Sequence, residues 1–450
     1  MQVNSEANRK ILYLPIEVKQ REFDAQVLLA ARASKRGYQV FIGTHASIYQ
    51  LIRNNKIPIG LILDKSLPDP KNIEMLYEKC QLIWVMDAEI SPILTEETIK
   101  QELPSRLYSA GIRKIDKFLM VGNVSYETAS NIFADQKSKV FKSGWPRLDL
   151  TGKFGLNFYQ SEIEKIKGKH SNYFLFASSF GGNKDPKKVH KQRKGKNFKP
   201  SEFWSDKAIQ QRYEKFIRAV NILKEWDNDP NVPTIVVRPH VNESVKIWKK
   251  ALGKLNKTFV ESDGNATAWI YASSGVIHQG STIALQSFLC DKPIFFLKEA
   301  AIENYAINAE KISNLIVSTK NPPRFLDPLK NLKSSPSYKI VNEHVHSPTN
   351  GSVEYILDQI DLSLNLSNGV VSKFKLLKSQ ICLNSLRRAL GLIRDEIQWR
   401  LGLINIYPQS VAISNGLRKK DIIKILNVLP NSSSINVRWR TINLWEITSK

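Results

Sequence analysis

Cysteine and long apolar runs are what this sequence has least of. Only Cys80, Cys290 and Cys382 occur among its 450 residues, and this odd, scattered set argues against a disulfide framework or a zinc site. A reducing compartment fits such cysteine usage best. The first residues hold no apolar segment of signal-peptide length, and no later run is apolar and uncharged over the length of a membrane span. We therefore expect a cytoplasmic protein.

Acidic residues are also few beside the basic ones. The chain has 42 acidic residues against 66 Lys or Arg, a formal net charge of +24, which calls for a negatively charged partner. Interleaved aromatic and basic stretches, zinc fingers and recognition-helix patterns are missing, so we expect no nucleic-acid partner. Anionic lipid and phosphorylated substrates remain. A hydrophobic content of 42% over this length is enough for two buried cores and an appendage.

Short apolar runs alternate with polar, helix-periodic segments through the first 300 residues. Such runs are typical of buried parallel strands, and the segments between them supply crossover helices. The first series predicts a helix over about 22–36 and strands at 10–15, 38–43, 59–63, 82–85, 117–121 and 139–144. The second predicts a helix over 213–226 and strands at 173–177, 234–238, 257–261, 275–278 and 294–297. The predicted fold class is α/β, with two doubly wound, Rossmann-like domains that face a cleft at the carboxyl ends of their strands.

These two series set the domain boundaries that we expect. The first domain covers 1–155, the second covers 165–330, and a basic, partly helical extension covers 331–450. Within the extension, residues 379–404 have an apolar stripe beside several arginines, so this helix could lie on an anionic membrane surface or pack on its own protein. The lysine-rich segment 183–200 could close over a lipid-linked pyrophosphate acceptor, or be a solvated loop without a specific role.

The most informative segment is 275–297, GVIHQGSTIALQSFLCDKPIFFL. It predicts a strand that ends at His278, a tight turn at Gly280, Ser281 and Thr282, and then a helix and a further strand. The first N–H groups of that helix, its dipole and two hydroxyls would converge at the turn, where an anion such as a phosphate fits. The alternative is that Ser281 or Thr282 only caps the helix.

Charged residues follow another strand of the same predicted domain. Arg238 and His240 stand on either side of Pro239. They could hold a phosphate or a nucleotide base and ribose, or they could make a structural salt bridge and a structural hydrogen bond. Glu243, three residues on, could hold a ribose hydroxyl or simply begin a helix.

Two loops at other strand ends could contribute to the same cleft. Ser178 and Ser179 follow the strand at 173–177, where small residues let the backbone approach a donor closely, although an ordinary turn would look the same. Arg147 and Asp149 lie where the first domain ends. They could contact the acceptor or a ligand across the cleft, or belong to a structural turn.

Four segments together resemble one known group of proteins: RPHVNES at 238–244, AWIYASSGVIHQGSTIALQSFLCDKPIFFL at 268–297, LPIEVKQREFDAQVLLAARASKRGYQVFIG at 14–43 and SGWPRLDL at 143–150. They are similar to the surface carbohydrate biosynthesis proteins of bacterial polysaccharide loci. That group in turn resembles GT-B glycosyltransferases of the CMP-sugar type, which include sialyltransferases and Kdo transferases. The likeness covers roughly residues 10–320 and therefore implies a GT-B arrangement of both predicted domains.

The resemblance also implies roles for particular residues of the second domain. In the CMP-sugar enzymes a His-Pro motif contacts the nucleotide and a Ser-Ser/Thr motif holds its phosphate. By resemblance His240 takes the first role, and Ser281 with Thr282 takes the second. In this sequence the proline precedes His240, and Val241 follows it.

A general base is expected on the opposite side of the cleft. In GT-B enzymes it commonly comes from the N-terminal domain, near the acceptor hydroxyl. Glu17, just beyond the first strand, is the first candidate, and Glu22 is the second. Arg21 would contact the acceptor or pair with a carboxylate. The structural alternative is that acidic residues here favour the start of a helix through its dipole.

The function expected from these observations is glycosyl transfer without a metal or other cofactor. The donor would be a nucleotide sugar, CMP-activated by resemblance, and the acceptor a surface polysaccharide or lipopolysaccharide that is anionic or lipid-linked. The basic segments favour peripheral contact with the inner face of an anionic membrane. Two alternatives stay open: a nucleotide-sugar epimerase of the non-hydrolysing, two-Rossmann type, and a non-catalytic protein that binds glycan or lipid during assembly.

Overall fold

The computed structural model describes residues 10–449 apart from a set of gaps. The gaps are 56–57, 68, 88–93, 104–105, 108, 182, 184, 188, 190–204, 242, 302–306, 327–334, 367–389, 392–393, 395–396 and 398–415. The lysine-rich segment 183–200 and the predicted helix 379–404 fall largely within these gaps. The two predictions made for them therefore lie outside the described residues.

The first domain is built on a sheet that has eight strands in the described chain, six of them parallel. The strands are β1 (Ile11–Ile16), β2 (Gln39–Thr44), β3 (Leu61–Asp64), β4 (Leu82–Met86), β5 (Lys117–Met120), β6 (Val140–Lys142), β13 (Ile435–Thr441) and β14 (Leu444–Ser449). Their order is β13-β14-β2-β1-β3-β4-β5-β6. All six residues of β1 are buried, which is why the strand reads as a continuous apolar run.

Helices cover both faces of this sheet. They are α1 (Lys19–Lys35), α2 (His45–Arg53), α3 (Pro70–Lys79), α4 (Glu96–Glu102) and α5 (Asn123–Ile132). Alternate residues of β1 enter different apolar clusters, because successive side chains of a strand point to opposite faces. Leu12 and Leu14 join the cluster that contains α1, whereas Tyr13 joins the one that contains α2.

The second domain has a sheet of six parallel strands among the described residues. The strands are β7 (Tyr173–Ala177), β8 (Thr234–Arg238), β9 (Thr258–Val260), β10 (Gly275–His278), β11 (Ile294–Leu297) and β12 (Leu315–Val317), in the order β12-β11-β10-β7-β8-β9. The helices are α8 (Asp206–Asn228), α9 (Val245–Leu252), α10 (Ala266–Ala272), α11 (Ile283–Leu289) and α12 (Ile307–Lys311). Two helices connect the domains, α6 (Gly152–Phe158) and α7 (Gln160–Lys169).

The described C-terminal residues return to the sheet of the first domain. Three helices, α13 (Ser335–His344), α14 (Ser352–Leu366) and α15 (Lys419–Val428), lead to the β13–β14 hairpin. The hairpin pairs antiparallel with β2 through β14, and Lys19 of α1 forms a 2.6 Å ion pair with Asp421 of α15. The expected C-terminal extension is thus partly helical, and its described parts pack on the first domain. The hairpin covers the edge of the sheet that β2 would otherwise leave open.

Each strand and each helix predicted from the two apolar series overlaps an observed one, so the α/β fold class with two doubly wound domains is confirmed. The predicted helix 213–226 lies within α8, where Phe216, Val220 and Leu223 are buried. The strands β12, β13 and β14 were not predicted. Within the described ranges, no helix combines the length and the apolar character needed to cross a membrane.

Candidate active site

Three charged side chains meet at the carboxyl ends of β1 and β3. The ammonium of Lys65 lies 2.6 Å from Oε2 of Glu17 and 3.1 Å from Oε1 of Glu22. The other oxygen of Glu22 accepts a 2.8 Å hydrogen bond from the N–H of Glu17. The side chains of Lys65 and Glu22 are 7% and 12% exposed, whereas that of Glu17 is 43% exposed. The cluster therefore fixes Glu22 within the fold and presents Glu17 at its surface.

A histidine and a buried aspartate adjoin this cluster. Nε2 of His45, the first residue of α2, lies 2.7 Å from Oδ1 of Asp64, and the N–H of Lys65 donates to the same oxygen. Burial lowers the pKa of His45, but the charges of Asp64, Glu17 and Glu22 outweigh burial and raise the pKa above its usual value. These charges favour the imidazolium form of His45.

A pocket opens beside the cluster, and we call it the arginine pocket. It is lined from α1 and from the ends of β3, β4 and β6 by Arg21, Glu22, Ala25, Gln26, Lys65, Met86, Trp145, Pro146 and Arg147. The carboxyl ends of parallel strands share one edge of the sheet, which is where such sheets bind ligands. The structure thus brings together Arg21, Glu22 and Arg147, and Lys65 connects this pocket to Glu17.

Arg147 joins the arginine pocket to the second domain. Its Nη2 donates a 2.6 Å hydrogen bond to Oε1 of Gln286 on α11, and its guanidinium lies 5.3 Å from the ring centroid of Trp145. Burial and the nearby charge of Arg21 lower the pKa of Arg147 to about 9. The side chain remains charged at neutral pH, and its hydrogen-bond partner on α11 is a neutral amide.

Asp149 is placed differently from its neighbour Arg147. Its oxygens accept hydrogen bonds of 2.9 and 2.8 Å from the N–H groups of Ser352 and Val353 at the start of α14. A carboxylate there satisfies N–H groups that have no partner within the helix and complements the helix dipole. Asp149 therefore fastens α14 to the first domain, and it does not line the arginine pocket.

Asp24, on α1, connects the two domains. Its Oδ2 accepts a 2.9 Å hydrogen bond from the hydroxyl of Tyr159 and a 2.7 Å hydrogen bond from Nδ2 of Asn265. Tyr159 belongs to the connection between the domains, and Asn265 precedes α10. Burial raises the pKa of Asp24 to about 6. The junction therefore contains a carboxyl group that titrates close to neutral pH.

On the other side of the cleft, His278 organises the turn after β10. Its Nδ1 accepts a 3.1 Å hydrogen bond from the N–H of Gly280, and its Nε2 lies 3.0 Å from Oγ of Ser313. Since Ser313 donates its own proton to the carbonyl of Ala309, it accepts from Nε2–H, which fixes the tautomer. Burial lowers the pKa of His278 to about 3. The neutral, fully buried ring supports the turn and does not face the cleft.

The supported turn consists of Gly280, Ser281 and Thr282. Gly280 has φ of 109°, in the region that favours glycine. Oγ of Ser281 accepts a 3.4 Å hydrogen bond from the N–H of Ile283, and the side chain of Thr282 does not cap α11. Within the described residues, the N–H groups of Ser281 and Thr282 donate no hydrogen bond. Two backbone donors and two partly exposed hydroxyls are thus present at this turn.

Arg238 has partners inside its own domain. Its Nη1 donates a 2.8 Å hydrogen bond to the carbonyl of Asp263, and its Nη2 donates to the carbonyl of Gly264. Its guanidinium lies 5.8 Å from the ring centroid of Trp269, and burial lowers its pKa to about 10. The structural alternative from the sequence describes these contacts, except that the partners are backbone carbonyls and not a carboxylate.

Glu243 ties the ends of β7 and β8 together in a buried network. Its carboxylate accepts hydrogen bonds from the hydroxyl of Ser178, from the N–H of Phe180 at 2.7 Å and from the indole of Trp248 at 2.8 Å. The hydroxyl of Ser178 accepts in turn from the N–H of His240 at 3.2 Å. Burial raises the pKa of Glu243. These bonds hold the two strand-end loops in register.

Two of the expected donor residues lie at the surface of this network. His240 and Ser179 are both partly exposed, whereas Ser178 and Glu243 are buried. The backbone of His240 is held at both ends, because its N–H donates to Ser178 and its carbonyl accepts from the N–H of Glu243. The structure therefore separates residues that shape this loop from residues that reach its surface.

Four polar residues of the cleft were not predicted from the sequence: Gln26, His45, Lys65 and Gln286. Lys65 follows the strand IGLILD directly, and Gln26 interrupts the apolar run of α1, so both offered a usable signal. The contact between Gln286 and Arg147 joins residues 139 positions apart, and no local pattern reveals it. Among the described residues, no three His, Cys, Asp or Glu side chains gather in an arrangement that could hold a metal ion.

Comparisons with known proteins bear on the fold. The sequence matches no protein-family model and no curated protein. Among solved structures, the UDP-GlcNAc 2-epimerase from Neisseria meningitidis bound to UDP-GlcNAc is similar with a TM-score of 0.50 and 9% identity, over 79% of this chain and 100% of that one. The S. aureus MnaA-UDP co-structure gives 0.48 at 13% identity, over 82% and 100%. The wall teichoic acid polymerase TagF gives 0.46 at 14% identity, over 81% and 91%. At 9% identity the likeness to the meningococcal structure concerns the fold alone, and it agrees with two Rossmann-like domains.

Proposed function

We propose that this protein is a glycosyltransferase that moves a sugar from a nucleotide-sugar donor to a surface polysaccharide or lipopolysaccharide acceptor. One observation carries the proposal. An exposed carboxylate, Glu17, stands at the strand ends of the first domain, while the turn at Ser281 and Thr282 offers N–H donors at a strand end of the second. The helix that begins at this turn is hydrogen-bonded to Arg147 of the arginine pocket, which supports a common cleft for both groups.

In this proposal Glu17 accepts the proton of the acceptor hydroxyl as its oxygen bonds to the anomeric carbon. The bond between that carbon and the donor phosphate breaks, and negative charge develops on the departing phosphate. The N–H groups and hydroxyls of Ser281 and Thr282 stabilise that charge, aided by the helix dipole. Lys65 orients Glu17 through their ion pair, and Glu22 positions Lys65 because both of its own oxygens are engaged. The scheme uses no metal and no other cofactor.

The nucleotide is proposed to lie beside His240 and Ser179, on the loops that Glu243 and Ser178 hold together. The motif resemblance makes CMP the first nucleotide to test. UDP is the second, because the meningococcal structure with this fold contains UDP-GlcNAc. The net charge of +24 supports an anionic acceptor and peripheral contact with an anionic membrane.

The experiment that tests the proposal is product analysis by mass spectrometry. Purified protein is incubated with CMP-, CDP-, UDP- and GDP-sugars, each with and without a bacterial glycolipid fraction as acceptor. We expect one donor to lose its sugar to the acceptor. An epimerised donor that forms equally without acceptor would show that the protein is an epimerase and not a transferase. Binding of a donor without any product would favour the alternative of a non-catalytic assembly protein.

The role of Glu17 is tested with the variant E17Q. Removal of a general base lowers the rate by roughly a hundredfold to ten-thousandfold, and donor binding should stay unchanged. The matched control is E225Q, which makes the same change at an exposed position of α8. Undiminished transfer by E17Q would remove Glu17 from the mechanism.

A further inference from the structure

Two guanidinium groups, those of Arg21 and Arg147, line the arginine pocket beside the Lys65 cluster. Lys65 is paired with Glu17 and Glu22, and Arg21 and Arg147 bring two further positive charges to the lining. The charge of Arg21 contributes to the lowered pKa of Arg147, which means that the two guanidinium groups repel each other. An anion between them would relieve this repulsion.

A buried amide faces the same pocket. Gln26 lines it and is only 9% exposed, and its Oε1 accepts no hydrogen bond from the described residues. A buried polar group without a partner destabilises a fold, so its presence beside a pocket points to a ligand. The amide of Gln26 can accept from a hydroxyl and donate to an oxyanion.

Arg147 is held ready for such a ligand. The ring of Trp145, 5% exposed, lies 5.3 Å from its guanidinium, and Gln286 occupies one of its nitrogens. The guanidinium group presents five N–H donors in a planar fork that matches a carboxylate or a phosphate. A side chain fixed in this way loses little conformational freedom when an anion binds.

We propose that the arginine pocket is a subsite for one oxyanion, a phosphate or a carboxylate, carried by the acceptor. Arg147 and Arg21 bind the oxyanion through charge-assisted hydrogen bonds, and Gln26 binds a hydroxyl beside it. The assignment to the acceptor rests on the proposed function, because the pocket belongs to the domain that supplies Glu17. The acceptor is accordingly an acidic sugar or a saccharide that carries phosphate.

The test is calorimetric titration of the full chain at low ionic strength, without nucleotide. The probes are inorganic phosphate and glucuronate, with glucose as the uncharged reference. We expect oxyanion affinity to fall about tenfold to a hundredfold in R147Q and in R21Q, and by a smaller factor in R147K, which keeps the charge but loses the planar fork. The matched control K153Q removes an exposed charge from α6 and should bind as the parent does. Preference for glucuronate would identify an acidic sugar, and preference for phosphate a phosphorylated saccharide.

Two results would overturn the subsite. Oxyanion binding that is unchanged in R147Q and R21Q is one, and an equal loss in K153Q is the other. Competition of the oxyanion with CMP or UDP would assign the pocket to the donor and overturn its assignment to the acceptor. If R147Q fails to fold, as judged by circular dichroism, R21Q and R147K decide the question.

Failure of this inference is distinguishable from failure of the proposed function. Intact oxyanion binding without sugar transfer would count against the transferase and leave the anion site standing. Transfer that is equally efficient to neutral and to anionic acceptors, with no oxyanion binding, would remove the subsite and leave the transferase standing.

Discussion

Replacing Asp24 by Asn perturbs a buried charge between the two domains. Burial raises the pKa of Asp24 from 3.8 to about 6, so the folded state favours the protonated carboxyl. A group whose pKa is higher in the folded state than in the unfolded state contributes fully to stability below the pKa of the unfolded state. That contribution is lost as pH rises through the pKa of the folded state. A rise of about two pKa units corresponds to a pH-dependent change in the free energy of unfolding of ~3 kcal/mol. This figure is an upper limit, because the side chain of Asp24 is partly exposed and solvent screens its charge.

The variant D24N carries no charge, and its Oδ1 can still accept from Tyr159 and Asn265. We expect the stability of D24N relative to the parent to rise between pH 4 and pH 6, by up to ~3 kcal/mol, and to stay level above pH 7. Thermal unfolding at several pH values between 4.5 and 8 measures this difference, with D135N as a control at an exposed aspartate. A difference between D24N and the parent that is independent of pH would refute the reasoning.

Three further predictions concern the turn after β10 and the hairpin. In H278N the amide oxygen can replace Nδ1 as acceptor for the N–H of Gly280, whereas in H278Q the longer side chain reaches Ser313 and leaves that N–H without its acceptor. The KM for the donor should therefore rise more in H278Q than in H278N. Equal KM values from initial rates would contradict this. The pKa of His278 is lowered to about 3, so the contribution of the neutral ring to stability should be lost as pH falls from 6.5 towards 3. Acid unfolding curves of the parent and of H278N measure this loss, and identical curves would contradict the prediction. In G43A the new Cβ would lie 2.7 Å from the carbonyl oxygen of Asn443, which is too close for the hairpin to keep its position beside β2. Hydrogen exchange at 435–449 should therefore increase. Unchanged exchange would show that the hairpin is not held against β2.

Strand positions and the location of the cleft could be predicted from the sequence, because both depend on local signals. Runs such as YFLFA and GVIH are short, apolar and followed by small or polar residues, which is the pattern of a buried parallel strand. Once the strands are known to be parallel, their carboxyl ends must share an edge. Glu17 and Arg147 could therefore be expected at that edge of the first sheet, and Ser281 at that edge of the second.

The partners of the candidate residues could not be predicted in the same way. Arg238 and Glu243 carry groups that suit a ligand, yet in the structure they bind carbonyls, N–H groups and a hydroxyl of their own domain. Buried charged groups need such partners wherever they lie, and the sequence does not say whether protein or ligand supplies them. His278 is the same case, since its neutral ring bonds Gly280 on one side and Ser313 on the other.

The path of the C-terminal residues depends on contacts across almost the whole chain. The pairing of Leu444 with Gly43 and of Trp445 with Ile42 joins the last strand to the second. The strand β13 alternates buried and exposed residues only in part, so its apolar pattern is weak. Edge strands of this kind are recognisable only when the edge that they cover is known.

Nucleotide binding to the turn at Ser281 and Thr282 is the central claim, and a thermal-shift panel measures it most directly. CMP, CDP, UDP, GDP and their sugars are compared with the parent and with an S281A/T282V double variant. The account predicts that one nucleotide class raises the melting temperature of the parent, since a ligand at a hundredfold excess over Kd stabilises the folded state by about 2.7 kcal/mol. The double variant should lose that response. No response to any nucleotide, or an equal response in the double variant, would contradict the account.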